Sequence, residues 1–568
     1  MAIEKQLDAL TIASSELGPA HPTTALFMAH LGIFETELSQ QDIRIFWLKQ
    51  AVNSLQLQRA KVSKIGSDNL KSYTDSIQLV YQTLANSLTN SGRLSEAQQV
   101  LDMLKEEEQF DLIRRSASAD PRKTRMGYTY SEQQWVNRYN EIANHLSALG
   151  VEDRELKKVA KISELNPAQR QRQKELVSDL LVARHAFHNY LVNLQTTFST
   201  NGISRAVEKE ETSLQAMREL QNLIGGLADS TGSGVALLQY FITEDQISIL
   251  MTSPGVQLAR TSNIKSSELN RLIGDFRRQL RDPRSQPLKT SQTLYKLLVE
   301  PIAADLDQAG IQTVMLSLDG SLRYLPFSAL HDGKQFLVQR WRLPIYTSVA
   351  RKSLKDNVSK QWQAAGLGLT KAISDFPALP AVRTELRSII KTNSRAENGV
   401  LPGKVYLDED FNSESLKTVG QGGFELLHIA SHFRFSPGTE INSYLLLGDG
   451  KKLTLGDLRT QNFRFDQVDL LTLSACDTGL GGGRDENGRE IEGFGVIAQQ
   501  QGAKAVLATL WPVADSSTAE LMTDLYRRRQ NLGLNKAEAL RQAQEIMLQG
   551  KYSHPFYWAP FILMGNWK

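Results

Sequence analysis

Cysteine is almost absent from this chain of 568 residues, since Cys476 is the only one. A single thiol excludes an internal disulfide, and it cannot supply the four thiolates of an all-cysteine structural zinc site. Disulfide-rich secreted scaffolds are thereby excluded, and the composition is typical of a protein from a reducing compartment. We therefore predict a cytoplasmic protein.

An excess of charge of one sign is also lacking, as are long apolar runs. The 65 Lys and Arg residues nearly balance the 62 Asp and Glu residues, which gives no reason to expect a nucleic acid or an anionic membrane as partner. No stretch reaches the ~18 apolar residues of a membrane-spanning helix. The opening residues, MAIEKQLD, contain acidic side chains and do not form a secretory signal.

The first third of the chain has helical periodicity. Val80, Leu84 and Leu88 repeat at helical spacing, the residues NSGRL at 90–94 interrupt the pattern, and SEAQ at 95–98 is typical of a new helix start. This turn resembles the one between the helices of a tetratricopeptide repeat. We predict a helical, repeat-like region over 1–113, with an irregular helical bundle as the alternative.

A second helical region follows a basic linker. Residues 114–130 contain several arginines and a proline without apolar periodicity, which predicts an exposed linker. The residues SEQQ at 131–134 predict a capping box at the next helix start, and Gly225 with Gly226 predicts the end of the helical pattern. We therefore expect a connecting helical region over 131–226.

Strand patterns begin near residue 235. Residues 236–241 and 247–251 read as a hairpin, and residues 314–318 and 322–327 flank the turn dipeptide Asp-Gly. Further strands are predicted at 405–407, 426–430, 470–473 and 505–510, alternating with helices as a three-layer α/β fold requires.

Two reactive side chains follow apolar runs in the second half. His432 comes after FELLHIAS, and Cys476 lies 44 residues further on, after DLLTLSA. Strand ends beside a rigid sheet are common positions for catalytic groups. A thiol becomes a nucleophile when a base such as histidine removes its proton. The glycine-rich residues after Cys476 are a poor core environment, so this pattern favours a catalytic over a structural cysteine.

The motifs around these residues resemble the CHAT domain, a caspase-like and separase-like branch of the clan CD cysteine peptidases. The resemblance depends on LHIASH at 427–432, LSACDTG at 473–479, EGF at 492–494, QGA at 501–503 and TLWPVAD at 509–515, followed by WAPF at 558–561. It implies a caspase-like three-layer α/β domain after the helical region, with residues 227–364 as the half without catalytic residues and residues 365–568 as the catalytic half.

The resemblance also implies catalytic roles. Cys476 would be the nucleophile, His432 the general base and then general acid, and the backbone N–H groups of Phe433 and Cys476 would stabilise the oxyanion. Members of the family usually have glycine where this chain has Phe433, and a side chain there narrows the approach to the backbone. No cofactor and no metal are expected.

Acidic residues cluster in the sequence after the nucleophile. We predict a specificity pocket from five residues: Asp477, Glu490, Glu492, Trp511 and Asp515. An acidic pocket favours Arg or Lys before the scissile bond. Solvated loop charges are the alternative interpretation of these carboxylates.

Three functions agree with these observations. The first is a cysteine endopeptidase, which the resemblance places among bacterial defence or cell-death proteases that act on a partner protein such as a gasdermin-like pore-former. The helical region would then bind an activating protein or expose the linker to an upstream protease. The second is a catalytically silent scaffold, which Phe433 favours, and the third is an acyl transferase that uses the same thiol.

Overall fold

The computed structural model describes residues 2–34, 41–62, 67–113, 125–201, 211–392, 399–434, 443–474, 489–511, 513 and 515–568. The chain forms two compact units, one of Met1–Leu104 with Arg114–Glu219 and one of Lys105–Ile113 with Leu220–Lys568. Within the described ranges, no helix has both the length and the apolar character that crossing a bilayer requires.

The amino-terminal part of the chain is helical, as predicted. Its described helices are α1 (Ala2–Glu16), α2 (Pro22–Phe34), α3 (Gln41–Val62), α4 (Ser67–Asn90), α5 (Leu94–Ile113), α6 (Tyr130–Ile162), α7 (Pro167–Asn201) and α8 (Glu211–Thr231). The predicted break between α4 and α5 is confirmed, because Gly92 adopts a φ of 72° there. Glycine tolerates this left-handed conformation without the steric cost of a Cβ atom.

A buried cluster of four charges joins three of these helices. The Nζ of Lys49 lies 2.5 Å from Glu96 Oε2 and 2.7 Å from Glu132 Oε2. Arg93 contacts the same two carboxylates, at 2.7 Å from Glu96 and 2.8 Å from Glu132. Each buried charge of the cluster has an opposite partner, so that none is left uncompensated between α3, α5 and α6.

Helix α6 begins at Tyr130, and its capping box is formed by Thr129 and Glu132, two residues before the predicted one at 131–134. Thr129 is the N-cap, its hydroxyl accepts from Glu132 N, and the Glu132 carboxylate accepts from Thr129 N. The preceding residues are not an exposed linker up to 130, because Met126 is buried and Asn53 hydrogen-bonds both its N–H and its carbonyl. Residues 114–124 of the predicted linker lie outside the described residues.

The prediction that Gly225 and Gly226 end the helical pattern is wrong. Helix α8 continues through both glycines to Thr231. Ile224 and Leu227 on either side are buried in the core of the second unit, so tertiary packing outweighs the low helix propensity of glycine. The helical part of the chain therefore extends five residues beyond the predicted boundary at 226.

The second unit has a mixed α/β fold. Its strands are β1 (Gly234–Ile242), β2 (Gln246–Ser253), β3 (Val256–Asn263), β4 (Ile311–Ser317), β5 (Ala364–Gly368), β6 (Ile390–Lys391), β7 (Leu401–Leu407), β8 (Leu426–Ala430), β9 (Phe433–Arg434), β10 (Tyr444–Leu446), β11 (Lys452–Thr454), β12 (Leu470–Leu473), β13 (Ala505–Thr509) and β14 (Phe561–Gly565). The helices are α9 (Ser266–Leu280), α10 (Leu288–Leu298), α11 (Glu300–Gln308), α12 (Ala350–Ser353), α13 (Val382–Ile389), α14 (Ser413–Gln421), α15 (Leu455–Thr460), α16 (Arg489–Gln500), α17 (Asp515–Leu532) and α18 (Lys536–Gln549).

Seven strands form the sheet of the carboxyl-terminal half, in the order β14-β13-β12-β8-β5-β7-β6. β5, β6, β7, β8, β12 and β13 run parallel, and β14 pairs antiparallel with β13 at one edge. The strands predicted at 405–407, 426–430, 470–473 and 505–510 are confirmed. Parallel strands direct all their carboxyl ends to one edge of the sheet, where substrates bind in open α/β folds.

A second sheet has the order β3-β2-β1-β4 and contains the predicted hairpin of β1 and β2. An extended segment, residues 342–346, lies between this sheet and the larger one. Val314 N donates to Arg342 O at 2.9 Å on one side, and Ile345 N donates to Leu563 O at 2.8 Å on the other. The two halves are therefore joined by continuous backbone hydrogen bonding.

The predicted strand at 322–327 is absent from the structure. Gly320–Tyr324 and Phe327–Ala329 are short 3₁₀ helices instead. Gly320 has a φ of 52°, which turns the chain after β4, and the Asp319 carboxylate accepts from Ile242 N at 3.0 Å rather than starting a hairpin. The prediction of a helical region followed by an α/β region is otherwise confirmed.

Candidate active site

His432 lies just beyond the carboxyl end of β8 and is 7% exposed. Its backbone carbonyl accepts from Leu446 N at 2.9 Å, and the neighbouring Ser431 hydroxyl donates to Leu446 O at 2.5 Å. These bonds attach the end of β8 to β10 of the small three-stranded sheet. The backbone that carries the imidazole is thus fixed on a central strand.

The orientation of the imidazole is set by residues that precede α13. His432 Nε2 lies 2.9 Å from the carbonyl oxygen of Pro377. The Phe376 ring lies against the imidazole with centroids 5.1 Å apart. A carbonyl can only accept, so Nε2 carries a hydrogen, and in the neutral ring Nδ1 is the nitrogen that can receive a proton. This arrangement is the one a general base requires.

The segment that holds His432 is itself supported by hydrogen bonds. Ile373 and Phe376 exchange two backbone hydrogen bonds, of 2.9 and 3.1 Å, around Ser374, whose φ is 49°. At the base of the segment, the Asp408 carboxylate accepts from Thr370 N at 2.8 Å. Burial alone would raise the pKa of Asp408, but the hydrogen bonds from Thr370 lower it, so the carboxylate stays ionised.

Strand β12, which leads to the cysteine, pairs in parallel with β8. Leu473 is opposite Ile429, and Ser474 N continues the ladder by donating to Ile429 O at 2.8 Å. In the sequence, Cys476 lies three positions beyond Leu473, and His432 lies three positions beyond Ile429. Cys476 itself lies outside the described residues, as does Asp477.

The remaining site predictions have different outcomes. Phe433 is 5% exposed and pairs with Leu445 in the three-stranded sheet. Trp511 is 1% exposed and its Nε1–H donates to Phe556 O at 3.1 Å. Only the backbone is described for the other three predicted pocket residues, with Glu490 and Glu492 in α16 and Asp515 at the start of α17. The roles assigned to all five residues stay predictions.

His428, in the middle of β8, is a buried, hydrogen-bonded histidine. Its side chain is fully buried, Nδ1 lies 2.9 Å from Tyr526 Oη, and Nε2 lies 2.9 Å from Glu385 Oε1. Both nitrogens therefore have protein partners, and among the described residues no group of three ligand side chains could hold a metal ion.

Sequence reasoning did not find Phe376, Pro377 or Asp408. Pro377 lies 55 positions before His432, and it contributes a backbone carbonyl that no side-chain pattern can reveal. Phe376 and Asp408 belong to polar, irregular stretches without a motif. The positive φ of Ser374 and of Asp408 marks these connections in the structure, and strained backbone is frequent at functional sites.

Comparison with known proteins agrees with the family prediction. Residues 288–566 match the CHAT domain, so the chain contains a CHAT domain over those residues. This range includes β4 to β14 and all the residues that surround His432.

A human protein, tetratricopeptide repeat protein 28, is 33% identical over 91 residues, which is 15% of this chain and 4% of that protein. Among solved structures, the Saccharomyces cerevisiae separase in complex with securin aligns with 99% of this chain at 10% identity and a TM-score of 0.40. The Arg-specific cysteine proteinase gingipain R aligns with 53% of this chain at 9% identity and a TM-score of 0.33. This chain spans 53% of the separase chain and 74% of the gingipain chain.

Proposed function

We propose that this protein is a cysteine endopeptidase in which His432 activates Cys476. The imidazole takes the thiol proton, the thiolate attacks the peptide carbonyl, and the protonated imidazole then gives its proton to the leaving amine. Water, activated by the same nitrogen, hydrolyses the acyl-enzyme and restores the thiol. The N–H groups of Phe433 and Cys476 are the proposed oxyanion donors.

One observation carries this proposal. The parallel register of β8 and β12 puts His432 and Cys476 at equal distances along the chain from the paired residues Ile429 and Leu473. The hydrogen bond from Nε2 to Pro377 O supports it further, because it leaves Nδ1 as the proton acceptor. Both features agree with an adjacent base and nucleophile.

The decisive experiment is digestion of a peptide library by the full chain and by Cys476→Ala and His432→Ala variants. We expect both substitutions to reduce cleavage by several orders of magnitude without unfolding the chain, since loss of a nucleophile or base leaves only binding and oxyanion stabilisation. His145→Ala, which removes an exposed histidine from α6, is the matched control and should cleave normally. Wild-type cleavage by Cys476→Ala would show that the peptidase proposal is wrong.

Covalent labelling separates the alternative functions. A peptidyl electrophile should alkylate Cys476 in the wild-type chain and much more slowly in His432→Ala, because the thiolate is the reactive form. A chain that is not labelled and does not cleave is the silent scaffold. A chain that is labelled, and that joins the acyl group to an added amine rather than to water, is the acyl transferase.

For specificity, we propose cleavage after Arg or Lys, because Asp477, Glu490, Glu492 and Asp515 are all acidic. A charge-assisted hydrogen bond to such a carboxylate contributes about 1.5–3 kcal/mol. Asp477→Lys and Asp515→Lys should then reduce turnover of basic substrates, whereas Asp229→Lys in α8 should not. A library profile with an apolar or acidic preference contradicts this assignment.

We further propose that the physiological substrate is a protein, such as a gasdermin-like pore-former, and that the helical part controls access to it. Turnover of the selected peptide should increase when the chain is cleaved between 114 and 126, where the sequence offers several basic residues as cleavage sites. If the intact and cleaved chains had equal activity, the helical part would not control access to the site and would serve only to select substrates.

A further inference from the structure

A buried chain of hydrogen bonds crosses the domain beneath the candidate site. Glu385 Oε1 lies 2.9 Å from His428 Nε2, His428 Nδ1 lies 2.9 Å from Tyr526 Oη, and Tyr526 Oη lies 2.8 Å from Thr472 Oγ1. Three of the four residues have no solvent exposure, and Glu385 is 5% exposed. The chain joins α13, β8, α17 and β12 in that order.

One assignment of donors and acceptors satisfies every group in this network. Burial raises the pKa of Tyr526, so its hydroxyl keeps its proton and can donate to His428 Nδ1. With a neutral imidazole, Nε2–H donates to the Glu385 carboxylate, and the Thr472 hydroxyl donates to Tyr526 Oη. Every member then has a partner, which makes a buried polar network specific rather than costly.

The network holds the elements that position the candidate catalytic residues. Thr472 is paired with His428 in the register of β12 and β8, and each lies four positions before its candidate residue, Cys476 or His432. Glu385 lies in the first turn of α13, and the residues just before this helix include Pro377, whose carbonyl accepts from His432. The same hydrogen bonds thus fix both strands and the helix behind His432.

We propose that Glu385 and Tyr526 are positioning residues of the peptidase reaction, acting through His428 and α13 to keep His432 in one ring orientation. Neither residue touches substrate or the reacting atoms. The proposal rests on the proposed function for its kinetic part, while the orientation of His432 can be measured without activity.

The kinetic test uses the full chain with Tyr526→Phe, Glu385→Ala and Glu385→Gln. Tyr526→Phe keeps the ring and removes the hydroxyl, and Glu385→Gln keeps one oxygen acceptor for His428. We expect kcat to fall ~10–100-fold with little change in KM for Tyr526→Phe and Glu385→Ala, and the pH profile of kcat to change shape, because the general base no longer keeps one geometry. Glu385→Gln should recover part of the loss.

Ser291→Ala is the control for a general effect on stability. Ser291 lies in α10 of the same unit, away from β8, β12 and α13, and its buried hydroxyl donates to Ala329 O at 2.7 Å. The substitution removes this hydrogen bond. Melting temperatures should fall to a similar extent in Ser291→Ala and Tyr526→Phe, but only the latter should lose kcat. An equal loss of kcat in both, or none in Tyr526→Phe, would overturn the positioning role.

Nitrogen NMR of the imidazoles distinguishes failure of this proposal from failure of the proposed function. The wild-type chain should show His432 as a single Nε2–H tautomer at neutral pH, and Tyr526→Phe should show a mixture. If the wild-type chain cleaves nothing but these spectra differ as expected, the peptidase proposal fails, whereas the control of the His432 ring orientation by Tyr526 stands. If the His432 signals are identical in both chains, the positioning role is wrong whatever the activity.

Discussion

The helical unit and the unit that contains the CHAT domain each bury a lysine completely, and the two lysines have opposite surroundings. Lys49 is unexposed and contacts the carboxylates of Glu96 and Glu132, and it also donates to Gly127 O at 2.9 Å. Lys536, at the start of α18, is 1% exposed, and its Nζ has no hydrogen-bond partner among the described residues. One lysine is buried as a paired charge and the other without a pair.

The difference shows how a fold accommodates buried charge. Desolvation lowers the pKa of Lys536 to about 7, and the charge of Asp469 only partly opposes this effect. The Asp469 carboxylate already contacts Lys504 Nζ at 2.7 Å, so it is not available as a dedicated partner. Lys536 therefore releases its proton near neutral pH, whereas Lys49 lies within ion-pair distance of two carboxylates.

Lys49→Met should produce the largest change in stability. Removing one member of a buried ionic cluster leaves uncompensated charge on Glu96 and Glu132, which costs about 3–5 kcal/mol. Hydrogen exchange followed by mass spectrometry should show faster exchange in α3, α5 and α6. Lys158→Met, which removes an exposed ion pair with Glu155, should cost less than about 1 kcal/mol. Equal effects would mean that the buried cluster contributes no more than a surface pair.

Lys536→Met should have the opposite sign. Replacing an unpaired buried ammonium by a side chain of similar volume should stabilise the second unit by about 1–4 kcal/mol below pH 7. The unfolded chain holds the lysine proton up to its ordinary pKa of 10.5 and the folded chain only up to about 7. The free energy of unfolding of the wild-type chain should therefore rise with pH between about 7 and 10.5, whereas that of Lys536→Met should not show this rise. A denaturation series from pH 6 to 10 measures it, and destabilisation at pH 6 would contradict the prediction.

The helical cluster should also lose stability as pH falls, but over a lower pH range. Burial alone would raise the pKa of Glu132, but the charges of Lys49 and Arg93 outweigh it and lower the pKa to about 2. A depressed carboxyl pKa adds stability above the ordinary value of 4.5, and this stability is lost as pH falls toward 2. Glu132→Gln should be less stable at pH 7 by about 1–3 kcal/mol and should show a smaller loss in acid. If the wild-type and Glu132→Gln chains lost the same stability as pH falls from 7 toward 2, this prediction would be wrong.

The strands and the two candidate catalytic residues were predictable because they depend on local sequence. Apolar runs end at His432 and before Cys476, and the spacing of turn residues separates the strands. The register that aligns Ile429 with Leu473 is not encoded locally, and neither is the distance between His432 and Pro377. These features depend on packing across more than forty positions, where one sequence alone contains no pairing information.

The buried polar groups were harder to predict for a related reason. Lys49 and Lys536 both lie in helices, and lysine as a residue type gives the same expectation of solvent exposure at each position. The 3₁₀ helices after β4 and the continuation of α8 through two glycines were missed because tertiary contacts outweighed local propensity. Among these buried polar groups, His432 is the one that a local pattern indicates, because it follows an apolar run at the end of a strand.

The smallest effect is expected from Asn53→Ala, which tests how the helical unit holds the segment after residue 124. Asn53 Oδ1 accepts from Met126 N at 2.7 Å, and its Nδ2 donates to Met126 O at 3.0 Å. Losing both bonds costs about 1–2 kcal/mol and lets the segment detach more often. Trypsin should then cut after the exposed Arg125 roughly 5–30-fold faster, in proportion to the larger open population. Asn137→Ala, which removes an exposed contact with Gln133, is the control and should be cut at the wild-type rate. An unchanged rate in Asn53→Ala would show that the Asn53 amide does not limit proteolysis of this segment. The packing of the buried Met126 side chain would then be what keeps the segment in place.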